Sequence, residues 1–106
     1  MKKSKLKKLT VEYDEWLNEH LQDKEEATIY LQVALDEYQN DGNTEALLLA
    51  LKNVAKAQGG IAELAKKTNL NRESLYKTLS SKGNPKLQTL GVLLKGLGFH
   101  LVIEPL

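Results

Sequence analysis

The chain has no cysteine, which excludes disulfides, thiolate metal sites and a cysteine nucleophile. Its two histidines, His20 and His100, stand far apart in the sequence, too few and too isolated for a histidine metal cluster within one chain. Neither has a nucleophile, oxyanion donors or a phosphate loop around it, and Gly59-Gly60 is not followed by Lys-Ser or Lys-Thr in P-loop register. Catalysis and a bound cofactor are therefore not expected. Proline (2), Phe (1) and Trp (1) are scarce, whereas Leu, Ala, Glu, Lys and Gln abound, and these are helix formers. No apolar run approaches the ~20 residues of a membrane span, and the Lys-rich start lacks the apolar region of a secretory signal. The expectation is a cytoplasmic protein.

What is present fits one domain: 106 residues with 42% apolar content can bury a real core. The net charge of +1 conceals a strong asymmetry. Residues 1–9 carry +5, residues 10–51 carry −10 with Lys24 as their single cation, and residues 52–106 carry +6. Such a division suggests two partners of opposite sign.

Residues 1–8 read as a disordered basic tail, since like charges repel and Leu6 is the only other apolar residue after Met1. Residues 9–43 form an acidic segment. Leu9, Val11 and Tyr13 alternate briefly, and Asp14 can cap a short helix carrying Trp16, Leu17 and Leu21. Asp23 caps a second helix over 24–39, with Glu25 and Glu26 in the dipole-friendly first turn. Its stripe of Ala27, Tyr30, Leu31, Ala34, Leu35 and Tyr38 faces a core, leaving Ile29 and Val33 on the opposite face. That pair is either covered by the segment around Trp16 or left for a partner.

Residues 44–106 are the basic part. After a break at 40–43, Thr44 caps a helix to about residue 58 with Leu47, Leu48, Leu51, Val54 and Ala55 inward. Gly59 and Gly60 end it. Short helices follow over 61–68 and from 72 to about 80, then one begun by Pro85 that runs to about Leu97. Phe99, Leu101 and Ile103 alternate as one β-strand, which needs a partner strand. Leu9–Tyr13 or the same strand of a second subunit could supply it, and symmetry favours a homodimer. The fold class is mainly α, a bundle of five to six helices with a short C-terminal strand.

Two short helices joined by a tight turn are the geometry of a helix-turn-helix. Ala65 allows close approach of the helices, and Asn69 falls where the turn needs positive φ. Leu70 plugs the turn, Asn71 caps the second helix and Leu75 anchors it. The segment resembles the lambda-repressor and Cro-like DNA-binding domain. A longer likeness runs through Tyr30–Leu35, Leu51–Gly59, Leu64–Thr68, the Arg72-Glu73-Ser74-Leu75-Tyr76-Lys77 block, Gly83-Asn84-Pro85 and Leu97-Gly98. Together these are similar to the HigA-like addiction-module antidote (antitoxin) proteins over about residues 14–103. Asn69 stands where that family usually has Gly, Lys86 where it usually has Ser or Thr, and the five-Lys tail is unusual for it.

The resemblance implies a dimeric repressor of its own operon that also binds and silences a toxin of the RelE/ParE type, typically an mRNA-cleaving ribonuclease. In a helix-turn-helix the N-terminal residues of the second helix meet base edges in the major groove, here Arg72, Glu73, Tyr76 and Lys77. Lys66, Lys67, Lys82, Lys86 and the backbone amides of Gly60, Ile61 and Asn84 are phosphate candidates. A toxin that grips RNA is basic, so the acidic segment complements it, with Tyr13, Trp16, Leu17, Ile29 and Val33 as candidate anchors. Trp16 has a competing place in the chain's own core. A stand-alone repressor without a toxin, and an interaction module that has lost DNA binding, are the alternatives in other classes.

Overall fold

The computed structural model describes residues 2–106, with side chains from residue 7 onward. Six helices follow in order: α1 (Lys2–His20), α2 (Lys24–Asp41), α3 (Thr44–Ala57), α4 (Ile61–Thr68), α5 (Arg72–Thr78) and α6 (Leu87–Gly96). None of them is long and apolar enough to cross a membrane.

Helix α3 is the spine. Leu47, Leu48, Ala50, Leu51, Val54 and Ala55 are all buried along it, and α1, α2 and α4 pack against it. Leu17 of α1, Leu21 in the turn after it, Ala27 and Leu31 of α2, and Leu93, Leu94 and Leu97 near the chain's end join the same apolar cluster. The acidic and basic parts of the chain therefore share one core. Of the predicted α2 stripe, Tyr30, Ala34 and Leu35 are half-buried, while Tyr38 sits at the exposed margin.

Helix ends are set by local chemistry. The Asp23 carboxylate accepts from the amides of Glu25 (2.9 Å) and Glu26 (3.1 Å), satisfying two orphan donors of α2. Gly42 at φ 70° closes that helix, its amide donating to the Tyr38 carbonyl at 2.7 Å. Asn43, not Thr44, caps α3, because its side chain accepts from the Ala46 amide at 3.2 Å. Gln58 Nε2 donates to the carbonyls of Leu21 (2.7 Å) and Gln22 (3.0 Å), tying the end of α3 to the end of α1.

Three expectations need correction. Residues 1–8 were expected as a disordered tail and 9–13 as an alternating stretch, yet α1 is continuous from Lys2; Met1 lies outside the described residues. Lys and Leu are good helix formers, and a helix anchored at Leu17 and Leu21 can propagate backwards at low cost once nucleated. The C-terminal strand is absent: among the described residues there is no strand, and 99–106 has no regular structure. Leu9–Tyr13 is helical and cannot pair with it, so Leu101 and Ile103 stay exposed, while Phe99 packs against the core. Finally, α6 begins at Leu87 after an extended Lys86 at ψ 159°, two residues beyond Pro85.

Helix α1 shapes the molecule. Residues 7–16 are all exposed, with Tyr13 and Asp14 bordering a concavity they share with Tyr30, Leu49 and Lys52, and the core is reached at Leu17 and, just past the helix, at Leu21. The radius of gyration, 14.5 Å, exceeds the about 13 Å expected for a compact domain of this length.

Candidate functional site

The α4–α5 pair is built around one left-handed residue. Thr68 Oγ1 donates back to the Leu64 carbonyl at 2.7 Å, and Asn69 then turns the chain at φ 58°, ψ 23°. Asn tolerates this conformation better than other non-Gly residues. Leu70 packs half-buried in the turn, and Asn71 accepts from the Glu73 amide at 2.7 Å to start α5. Leu75 and Leu79 are buried below it, at 1% and 4% exposure. The roles expected of Asn69, Leu70, Asn71 and Leu75 in placing the two helices are all met.

With its inner face pinned, α5 turns Arg72, Glu73, Tyr76 and Lys77 outward; all four are exposed. Lys66 and Arg72 line one shallow groove along the turn with Ala62, Ala65, Asn69, Leu70 and Asn71. Lys67, Lys82, Asn84 and Lys86 are exposed as well, whereas the Ile61 side chain is buried. Gly60 needs correction as a phosphate candidate, because its amide already donates to the Ala55 carbonyl at 2.9 Å. An N–H spent closing the α3 C-terminus has no capacity left for an anion.

The N-terminal surface divides differently from expectation. Leu17 is 7% exposed and belongs to the core, so it is removed from the partner-facing set. Trp16, one residue and about 100° away, is 55% exposed and does not enter the core. It stacks on His20 with ring centroids 4.9 Å apart and an interplanar angle of 13°, and the Tyr13 ring lies 6.0 Å from it, tilted by 34°. His20 Nε2 in turn donates to Glu26 Oε2 at 2.9 Å. Ile29 (59%) and Val33 (50%) are open, so the Trp16 segment does not cover them.

Sequence reasoning missed His20 as part of this aromatic row and Lys24 as a tertiary contact. The signals were present: His20 follows Trp16 by one helical turn, and Lys24 is the lone cation of a strongly acidic stretch. Among the described residues, no group of three or more His, Asp or Glu could hold a metal ion.

A relative from Haemophilus influenzae, itself described as an uncharacterized protein, is 35% identical over 86 residues, spanning 81% of this chain and 84% of the relative. No solved structure matches the chain. Residues 11–105 match the family described as "Probable addiction module antidote protein". With nearly the whole chain inside that match, this protein belongs to the family of probable addiction module antidote proteins.

Proposed function

We propose that this protein is an antitoxin of HigA-like type that binds and neutralises a RelE/ParE-like toxin and, as a dimer, represses its own operon. Family membership supports the antidote role, and an antidote needs a toxin to act on. The observation that carries the DNA-binding half is α5: a short helix anchored by Leu75 behind Asn69, presenting Arg72, Glu73, Tyr76 and Lys77 to solvent. Read as the recognition helix of a lambda-repressor-like helix-turn-helix, it offers Arg72 and Lys77 to guanine, Glu73 to a cytosine amino group and Tyr76 to a thymine methyl or a phosphate. Lys66, Lys67, Lys82, Lys86 and the amides of Ile61 and Asn84 then position the backbone. No step of this function requires the protein to act as an enzyme.

The toxin half is supported by α2. Glu25, Glu26, Asp36, Glu37 and Asp41 are set against Lys24 alone, and Ile29 and Val33 stand open as apolar anchors within that acidic field.

Salt-dependent binding of the chain to its upstream DNA tests the repressor reading. If a dimer neutralises about eight phosphates, log affinity falls against log salt with a slope of roughly −7. Half-sites are expected about 34 Å apart, one turn of duplex. A slope near zero would sink the reading. For the toxin, expression of the operon with only this chain tagged should bring down a small basic protein released only by denaturant.

A further inference from the structure

We propose that the concavity between α1, α2 and α3 is a binding site for a small amphipathic carboxylate, an apolar body carrying one carboxyl group. It measures about 360 Å³, and its lining shares no residue with α5 or with the Ile29 and Val33 pair. Small-molecule sites begin at about 300 Å³ and combine an apolar surface with a few convergent polar groups. Here Leu17 and Leu21, at 7% and 0% exposure, supply the apolar floor. Tyr13 and Leu49, both 56% exposed, flank its mouth.

One wall is polar and already ordered. Tyr30 Oη accepts from Asn53 Nδ2 at 3.1 Å, joining α2 to α3, and both side chains are half-buried. In that bond the hydroxyl acts only as acceptor, so its own O–H proton is left to donate, and among the described residues nothing takes it. A phenol held in place by a neighbour loses little rotamer freedom when it meets a ligand oxygen.

Charge selects the ligand. Lys52 and Lys56, one turn apart on α3, border the concavity, and Asp14 of α1 is its single carboxylate. Among the described residues neither lysine has a carboxylate within ion-pair distance. Lys52 is half-buried, and a cation partly removed from water gains most from a paired anion. The lining therefore sets two cations and a hydroxyl donor against one anion. A carboxylate answers Lys52 and the Tyr30 proton together, while its apolar body covers Leu17 and Leu21. A neutral apolar molecule would leave Lys52 unmatched, an amine would find Asp14 alone, and a phosphate dianion would meet repulsion from Asp14 and an apolar floor it cannot use.

Tyr30, Lys52, Asn53 and Lys56 have no part in DNA or toxin binding as read above, so this site stands or falls independently of the antitoxin reading.

Titration of the full chain with hydrocinnamate, followed by nitrogen–proton correlation NMR, is the test. The Asn53 side-chain amide and the backbone amides of Leu17 and Leu21 should shift together and saturate, with half-saturation below about 2 mM for an acid of this size. Hydrocinnamamide, which lacks the charge, and acetate, which lacks the apolar body, should each bind at least about tenfold more weakly. Lys52→Gln should weaken hydrocinnamate about tenfold and Tyr30→Phe about fivefold, as loss of a charge-assisted hydrogen bond does, whereas Lys52→Arg should retain binding. Absence of saturation by about 20 mM, tenfold beyond the expected midpoint, would overturn the proposal. Equal affinity for the acid and its amide would do the same, as would binding unchanged in both Lys52→Gln and Tyr30→Phe. Shifts confined to Lys66, Arg72 and Lys77 would also overturn it, by making the acid a counter-ion of the basic face.

Discussion

Lys24 Nζ donates to the backbone carbonyl of Leu97 at 2.6 Å, joining residues 73 apart in sequence. The same ammonium stands over the Phe99 ring, 4.9 Å from its centroid. The amides of Leu97, Gly98 and Phe99 donate to the Leu93, Leu94 and Lys95 carbonyls in the last turn of α6, and the Leu97 carbonyl just beyond them is taken by the Lys24 cation, which also complements the helix dipole. The one cation of the acidic segment is thus a clasp between the start of α2 and the end of the chain. Gly98, at φ 90°, lies directly beneath it, where an added Cβ would run into the Lys24 side chain.

Removing that clasp should cost stability without changing the fold. Lys24→Met loses a charge-assisted hydrogen bond and is expected to destabilise by about 1–2 kcal/mol. The urea midpoint should fall at an unchanged m-value, and a midpoint equal to wild type would show that the contact contributes nothing.

Asn69 should discriminate among replacements by conformation alone. Asn69→Gly keeps the left-handed turn and is expected to be neutral or slightly stabilising, whereas Asn69→Val is expected to cost about 1–2 kcal/mol. Thermal denaturation of the two variants separates these outcomes; equal midpoints would remove the turn from the account.

On DNA, Arg72 and Lys66 share a groove yet should behave differently. Arg72→Ala is expected to cost about 1–3 kcal/mol and to relax preference at one base position. Lys66→Ala should weaken all sequences alike and reduce the salt slope by about 1. Fluorescence anisotropy on the upstream operator and on point-substituted duplexes distinguishes the two; identical losses on all sequences would make Arg72 a phosphate ligand only.

Ile29 and Val33 are exposed, so their loss should spare the fold. Ile29→Ala with Val33→Ala is expected to leave the melting temperature within the range of ordinary surface substitutions, about ±0.5 kcal/mol. The same variant should lower toxin affinity at least tenfold by calorimetry. A fall in stability with affinity intact would place the pair in a structural role.

Much of the architecture was legible from residue order. The α2 and α3 stripes, the Asp23 and Asn71 caps and the Asn69 turn all depend on neighbours within a few residues, and the structure has them where spacing put them. The outward set on α5 follows from the same logic, since Leu75 and Leu79 claim the inner face. Misreadings came where a segment's fate rests on distant partners. Leu17 and Trp16 are equally apolar neighbours, and nothing local says which one α3 receives. The final segment has strand-like alternation, yet a strand is a relation between two segments, and the helical Leu9–Tyr13 withdrew the partner within the chain.

The order of residues by itself determined a helical chain with a left-handed Asn turn, capped helix starts and a basic part following an acidic one, because propensity, capping and charge act over a turn or less. Tertiary packing alone decided that Trp16 is open while Leu17 is buried and that Lys24 reaches Leu97. Each of these depends on which surfaces compete for α3 and on where the start of α2 meets the end of α6, and burial and long-range hydrogen bonds exist only once the whole chain has packed.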